Sequence, residues 1–194
     1  MEENLLSWPV LEGRYRVGNK NSPVAVCTNA TVEGIELDIE KVAIVGKCVT
    51  ENIGVEKIIR NVVSNSNIRF LILCGRVSKG HFVENAFISL KNKGIDKDKR
   101  IIGARGNTPF LKGIDQDIVE RFRRQVEIID LTPEEDSQKI MEAVEMCWNK
   151  NPDSFGLAPL KTEKTEEIEA ELEGEWTADP NGFFVISVDK NRDK

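Results

Sequence analysis

Short apolar runs alternate along the chain with segments whose apolar residues recur at helical spacing. The runs cover residues 23–28, 41–46, 68–75, 100–104 and 126–131. Near-continuous apolar runs of this length are typical of strands that are covered on both faces. We therefore predict five buried strands within the first 131 residues.

The segments between and after these runs predict amphipathic helices. Two of them carry four-residue apolar stripes, which are Val55, Ile58, Ile59 and Val62 and then Val83, Ala86, Phe87 and Leu90. Gly94 is placed to end the second of these helices. A third helix is predicted over residues 115–124. A fourth is predicted to begin after Thr132, where Glu135 completes a capping-box spacing and Pro133 occupies the first helical position.

This alternation predicts an α/β fold with a Rossmann-like, mostly parallel sheet and flanking helices over residues 1–150. Residues 29–40 are short for a crossover helix and their apolar positions alternate, so we expect a hairpin near the start of the sheet. Residues 151–194 are predicted to form a small extension. It would consist of a linker, a charged helix, a turn at 180–182 and a terminal strand at 183–188.

Composition and charge restrict the class of partner. The chain has 194 residues, of which 40% are apolar and 31% charged, and its net charge is −6. That balance argues against nucleic acid, which requires a basic surface. The chain lacks both a run of roughly 20 apolar residues and the features of a signal peptide. We therefore expect a cytoplasmic protein without a transmembrane segment of its own.

The cysteines and the histidine give the first candidate chemistry. Cys27, Cys48, Cys74 and Cys147 lie in or beside apolar runs, which predicts buried free thiols. One histidine and scattered cysteines do not make a zinc site. If the helix that follows already includes His81, its side chain points away from the apolar stripe. This histidine is then either an ordinary surface residue or a ligand or acid–base group at the end of a strand.

The loops after the predicted strands are polar or rich in glycine. Ligands of open α/β sheets bind at the carboxyl ends of the strands. Residues 28–31, 46–54, 74–81 and 103–108 occupy such ends. A GxGxxG motif and a Walker A loop are both absent, so a nucleotide site has weak support. The glycines serve turns equally well.

Several blocks within residues 7–150 are distinctive when taken together in order. They are SWPVLEGRYRVGNKNSPVAV at 7–26, KCVTENIGVEKIIRNVVSNSNIRFLILCG at 47–75, the Gly-His pair at 80–81, RIIGARGNTPF at 100–110 and VERFRRQVEIIDL at 119–131. Their combination resembles the A-subunit of tetrahydromethanopterin S-methyltransferase from methanogenic archaea.

The resemblance implies a corrinoid cofactor, cobalamin or a close relative. It also implies transfer of a methyl group from methyl-tetrahydromethanopterin toward coenzyme M, together with methyl-donor and methyl-acceptor proteins or subunits. Members of the family work in a membrane complex that pumps sodium ions, and their membrane-bound forms end in an anchoring helix. This chain lacks such a helix and reads FVENAF after His81, where smaller residues are expected. We therefore expect a soluble homologue or a truncated soluble domain, peripheral to a membrane complex.

The family's cobalt-ligating histidine falls on His81, which would be the lower axial ligand. Neutral imidazole is a good axial donor for cobalt, and the bond would form and break with each methyl transfer. A neighbouring acceptor should tune the imidazole, and Thr50, Glu51 and Asn52 are candidates. The predicted corrinoid contacts are Thr28, Thr50, Glu51, Asn52, Cys74, Gly75, Lys79, Gly80, His81, Gly103, Gly106, Asn107 and Thr108.

Two other classes of function stay open at this point. Cys74 ends a predicted strand and could be a nucleophile, with His81 as its base, in a thiol hydrolase or transferase. Its apolar surroundings favour an inert thiol. The chain could also be a non-catalytic module that binds a nucleotide or a protein.

Overall fold

The structure, a computed structural model, describes residues 7–158 and the backbone of residues 175–178 and 184–187. Five strands form the main sheet, and they are β1 (Tyr15–Val17), β2 (Val24–Cys27), β3 (Ile44–Gly46), β4 (Phe70–Leu73) and β5 (Glu127–Asp130). Their order is β1-β3-β2-β4-β5. All pairs are parallel except β1 with β3. The predicted α/β class with a mostly parallel sheet is confirmed.

Four helices within residues 7–158 flank this sheet. They are α1 (Ile53–Val63), α2 (Val83–Lys93), α3 (Gln116–Gln125) and α4 (Ser137–Asn149). The side chain of Asn52 caps α1 by accepting a hydrogen bond from the amide of Ile53 at 2.8 Å. Gly94 ends α2 with a φ of +74°, a value that favours glycine. The predicted stripes on α1 and α2 are confirmed.

The sheet is covered on both faces. Leu71 and Leu73 of β4 pack with α1, α2 and α3 on one face. Phe70, Ile72 and Cys74 point to the other face, where α4 covers them. This alternation explains why β4 reads as a continuous apolar run, since each of its residues is buried.

Two strand predictions are wrong. Residues 100–104 form only isolated bridges, between Ile101 and Ile95 and between Arg100 and Phe110. Gly103 turns the chain there with a φ of +85°, so the apolar run cannot continue as a strand. Residues 29–40 form no strand either, because the amide of Glu36 bonds the Ser137 hydroxyl instead of a neighbouring strand.

The antiparallel strand at the sheet edge comes from elsewhere. It is β1, a three-residue strand that pairs with β3. Its sequence, Tyr-Arg-Val, is too short to stand out, and its exposed Arg16 lies between two half-buried residues, as is common in an edge strand.

The start of α4 also differs from the prediction. Thr132 accepts a hydrogen bond from the side chain of Asn29 at 3.1 Å instead of capping a helix. The helix begins at Ser137, where the Asp136 carboxylate accepts hydrogen bonds from the amides of Gln138 and Lys139.

Residues 162–194 form a separate unit. In it β6 (Glu175–Ala178) pairs antiparallel with β7 (Phe184–Ser187). The terminal strand predicted at 183–188 is therefore present, and β6 was not predicted. The charged helix and the turn at 180–182 lie outside the described residues.

Phe87 provides a test of the packing between α2 and α3. Its side chain is fully buried, and its ring centroid lies 6.1 Å from that of Phe122. Phe87→Ala should lower the free energy of unfolding by about 3–5 kcal/mol, because it leaves a cavity between two helices. Val32→Ala, at an exposed position, should change it by less than about 0.5 kcal/mol. Urea unfolding measures both, and a loss below about 1 kcal/mol for Phe87→Ala would contradict this account.

Candidate functional site

His81 lies in the loop that joins β4 to α2. The helix begins at Val83, so His81 precedes it and is not part of its surface. Phe82 caps the helix with left-handed backbone angles, φ 48° and ψ 53°. Such angles cost a residue with a Cβ atom about 1–2 kcal/mol. The chain therefore accepts local strain directly beside its single histidine.

Glu51 is the partner of His81. Nδ1 of the imidazole lies 2.5 Å from Oε2 of the carboxylate. The glutamate side chain is fully buried, whereas that of the histidine is 35% exposed. Thirty residues separate them along the chain. They meet because β3 and β4 flank β2 in the sheet and the loops after these parallel strands emerge at the same edge.

The second carboxylate oxygen of Glu51 holds another loop. Oε1 accepts a hydrogen bond from the Thr108 amide at 2.7 Å and lies 3.4 Å from the Thr108 hydroxyl. The side-chain amide of Asn52 donates to that hydroxyl at 3.2 Å. Thr50 accepts from the amide of Gly54 at 3.0 Å and so holds the first turn of α1. One buried carboxylate thus ties residues 104–108 to the histidine.

The charge state of Glu51 follows from these contacts. Burial alone would raise its pKa, but the Thr108 amide, its own backbone amide and the His81 side chain outweigh burial and lower the pKa. The group is therefore a carboxylate, which can only accept hydrogen bonds. The proton between the two side chains must then sit on Nδ1 of His81. In neutral imidazole this leaves the lone pair on Nε2, which has no hydrogen-bond partner within residues 7–158.

Glycine is required where the loops meet. A Cβ atom on Gly106 would lie 2.6 Å from Cγ of Glu51 and 2.7 Å from the carbonyl oxygen of His81. Gly80 has a φ of +81° and lies beside the side-chain amide of Asn107. The loops therefore close on the histidine more tightly than residues with side chains would allow.

A second clamp was not predicted from the sequence. Arg105 lies over the ring of Phe82 at 5.1 Å, and its amide donates to the side chain of Asn85 at 2.8 Å. Its guanidinium lies 3.9 Å from the buried carboxylate of Glu84. A separation of twenty residues gives no local pattern that would reveal these contacts.

The other predicted contact residues lie apart from this cluster. Thr28 and Gly75 pack against Thr31, because a Cβ atom on Gly75 would meet the Thr28 carbonyl and the Thr31 hydroxyl. Gly103 lies beside the side chain of Lys93. Lys79 is exposed, and Cys74 is buried on the α4 face. Their contact with a corrinoid stays a prediction.

The thiols do not suit nucleophilic chemistry. All four cysteines are free and buried. Burial, and then the neighbouring Cys27 and Glu135, raise the pKa of Cys74 to about 12. Nδ1 of His81 is engaged with Glu51. The structure therefore does not favour a Cys74–His81 nucleophile and base.

His81 can offer a metal ion one ligand, the nitrogen Nε2. In the described part of the chain, no three His, Cys, Asp or Glu side chains are grouped to hold a metal ion. A lone imidazole with a free Nε2 suits a metal whose remaining ligands come from elsewhere, as in a macrocycle. No helix among the described residues has the length and apolar character needed to cross a membrane.

Comparison with known proteins identifies related sequences. The family model for the A-subunit of tetrahydromethanopterin S-methyltransferase matches residues 2–173. The A-subunit numbered 1 of that enzyme from Methanothermobacter thermautotrophicus is 44% identical over 170 residues, which are 87% of this chain and 71% of the relative. The A-subunit numbered 2 from Methanobrevibacter ruminantium is 43% identical, covering 83% of this chain and 84% of the relative. The A-subunit from Methanosarcina acetivorans is 38% identical, covering 89% and 72%.

Glu51→Ala should destabilise the protein. The substitution leaves the Thr108 amide and Nδ1 of His81 without their acceptor, which costs about 1–3 kcal/mol for each donor that water cannot reach. Glu51→Gln should lose less, because its amide oxygen still accepts one hydrogen bond. Urea unfolding measures the loss, with the exposed Glu33→Ala as the charge-matched control. Equal stability of Glu51→Ala and the control would show that the carboxylate does not hold these loops.

The thiols should be inert in the native protein. With a pKa of about 12, Cys74 at pH 8 has a thiolate fraction near 10⁻⁴, roughly a thousandfold below that of an ordinary thiol. Iodoacetamide should therefore label Cys74 at least about a thousandfold more slowly in the folded than in the unfolded protein. Mass spectrometry of quenched samples follows the reaction. Rapid labelling of native Cys74 would restore the nucleophile hypothesis.

Proposed function

Because the chain belongs to the A-subunit family of tetrahydromethanopterin S-methyltransferase, we propose that it is a corrinoid carrier in methyl transfer. In this role it holds cobalamin or a related corrinoid, with His81 as the lower axial ligand of cobalt. The observation that carries the proposal is the pairing of His81 with buried Glu51, which leaves the lone pair of Nε2 available to a metal ion.

The residues present fit such a group. A corrinoid would bring most of the ligands of its cobalt itself, so the protein would need to provide a single nitrogen, and the neutral imidazole of His81 is a good one. His81 is 35% exposed at the sheet edge where ligands of α/β folds bind. When bound, the corrinoid would supply a metal centre that accepts and gives up a methyl group.

Glu51 has two tasks in this proposal. It fixes the imidazole with its proton on Nδ1, so that Nε2 carries the lone pair that a metal requires. Its other carboxylate oxygen accepts the hydrogen bond from the Thr108 amide and so holds the 104–108 loop beside the imidazole. The Glu51–His81 pair would therefore present Nε2 to a bound corrinoid in one fixed orientation.

The loops supply the orientation. The Thr108 amide donates to Glu51, and Gly106 lies against both members of the pair, so residues 104–108 pack directly on Glu51 and His81. Arg105 lies over the ring of Phe82, the residue that follows His81, and so links the 104–108 loop to the start of α2. A ligand that rests on these loops would therefore meet a rigid donor, and rigidity lowers the entropic cost of binding.

Partners follow from the same premise. The named relatives are subunits of tetrahydromethanopterin S-methyltransferase. A carrier needs a methyl donor on one side and an acceptor on the other, and the resemblance suggests methyl-tetrahydromethanopterin and coenzyme M. We propose that this chain works with other subunits that bring these substrates to the exposed face of the site.

His81→Ala tests the axial ligand. Protein reconstituted with cob(II)alamin in its base-off form should show hyperfine splitting from one protein nitrogen, and ¹⁵N-histidine labelling should alter that splitting. In His81→Ala the splitting should disappear, and added imidazole should restore it by filling the same position. Electron paramagnetic resonance gives the readout, with the exposed Lys97→Ala as control. Splitting that persists in His81→Ala, or folded protein that binds no corrinoid, would refute the proposal.

A further inference from the structure

A cleft of about 450 Å³ lies at the opposite edge of the sheet, where β4 and β5 begin. Its floor is formed by the buried residues Phe70, Gln125 and Val126. Its rim carries four cationic side chains, which are Arg69, Lys91, Arg124 and Lys150. The role proposed for His81 does not involve this region.

We propose that this cleft binds a small, multiply charged oxyanion, such as a phosphate or a polycarboxylate. Such binding is independent of a corrinoid, because His81 lies at the carboxyl edge of the sheet and the cleft at the amino edge. The charge of the cleft, its hydrogen-bond donors and its size together define this class of ligand.

The cleft has an excess of positive charge. Glu127 is the one carboxylate among the described residues that line the cleft, so four cations face one anion. The lining carries a formal charge of +3 in a chain with a net charge of −6. The C-terminal ends of α2, α3 and α4 converge here, and each contributes about half a negative charge from its dipole. These dipoles offset only about half of the positive charge.

Two of the cations have donors to offer a ligand. Among the described residues, the Arg124 side chain makes neither a hydrogen bond nor an ion pair, so its planar guanidinium is available to an oxyanion. Nζ of Lys91 donates to the carbonyl of Arg123 and keeps two further N–H donors. Burial, and to a smaller extent the charge of Arg123, lower the pKa of Lys91, whereas Glu127 raises it.

The cleft is also preorganised. Arg69 is fixed by hydrogen bonds to the carbonyls of Gln125 and Asp153, at 2.9 and 2.6 Å. Nε2 of Gln125 lies within 3.1 Å of three carbonyl oxygens at the end of α1 and before β4. Gln125 in the floor and Arg69 on the rim are therefore already ordered before a ligand binds, which lowers the entropic cost of binding.

Size and backbone define the ligand further. A volume of about 450 Å³ falls within the range of small-molecule sites. The amides of Phe70 and Glu127 are already bonded to the carbonyls of Pro23 and Arg69. Recognition must therefore come from charged side chains rather than from a backbone nest. Such binding favours multiply charged anions and weakens as ionic strength rises.

Titration of ¹⁵N-labelled protein with inorganic phosphate, and separately with citrate, tests the proposal by nuclear magnetic resonance at low ionic strength. At least one anion should give saturable shifts centred on the amides of Phe70 and residues 125–127. Arg124→Ala should weaken binding about fivefold or more, because it removes a charged donor. Glu127→Gln should strengthen binding about two- to fivefold, because it removes the opposing charge.

Lys139→Ala is the matched control. It removes the same charge from the first turn of α4, at the other edge of the sheet, and should leave the affinity unchanged. Unchanged spectra of the free variants outside the substituted region verify their folds. The proposal is overturned if neither anion saturates, if shifts spread evenly over surface cations, or if Glu127→Gln weakens binding. Binding of hexaglutamate without phosphate or citrate would also overturn it, and would make the cleft a docking site for an acidic protein segment.

Discussion

The buried carboxylate of Glu51 is the constraint on which the site depends. A charge removed from water is expensive unless hydrogen-bond donors replace the solvent. Here the donors are the Thr108 amide and Nδ1 of His81, and both come from other loops. The carboxylate stays buried at low cost only while the loops that carry Glu51, His81 and Thr108 keep their positions, because these contacts replace water. The same requirement selects the tautomer of His81, so structural stability and the chemistry of the imidazole cannot be separated.

The sheet makes this arrangement possible because it sets where the loops emerge. β3, β2 and β4 are adjacent and parallel, so the loops that carry Glu51 and His81 emerge at the same edge of the sheet. The α4 face is filled by apolar side chains, whereas Glu51 and His81 sit at the starts of α1 and α2 on the other face. Helix N-termini favour negative charge, which supports the ionised form of Glu51. The antiparallel strand β1 pairs with the outer side of β3 and so covers one lateral edge of the sheet. The carboxyl ends of the parallel strands, where the loops emerge, stay accessible.

Sequence patterns revealed the parts of this fold that repeat and missed the parts that depend on single distant contacts. The apolar run of β4 and the stripe of α2 are dictated by burial and can be read along the chain. Residues 100–104 have the same apolar character but include Gly103, where the chain turns. Glu51 was one of three neighbouring polar candidates, because no periodicity distinguishes a residue that meets its partner thirty positions away. Arg105 and Phe82 carried no signal at all, since their contact exists only once the loops are in place.

The helix dipoles place opposite partial charges at the two ends of the strands, and the side chains at each end carry the complementary charge. At the carboxyl edge helix N-termini meet a carboxylate, and at the amino edge helix C-termini meet lysine and arginine. At the carboxyl edge the charge is fully accounted for by its hydrogen-bond partners, because both oxygens of Glu51 are engaged. At the amino edge the positive charge of the four cations is larger than the combined negative charge of Glu127 and the helix dipoles. Like charges held close together repel, and an anion between them would relieve that repulsion. The positive charge that remains beyond the ion pair of Lys150 with Glu127 is the charge that the proposed anion would offset.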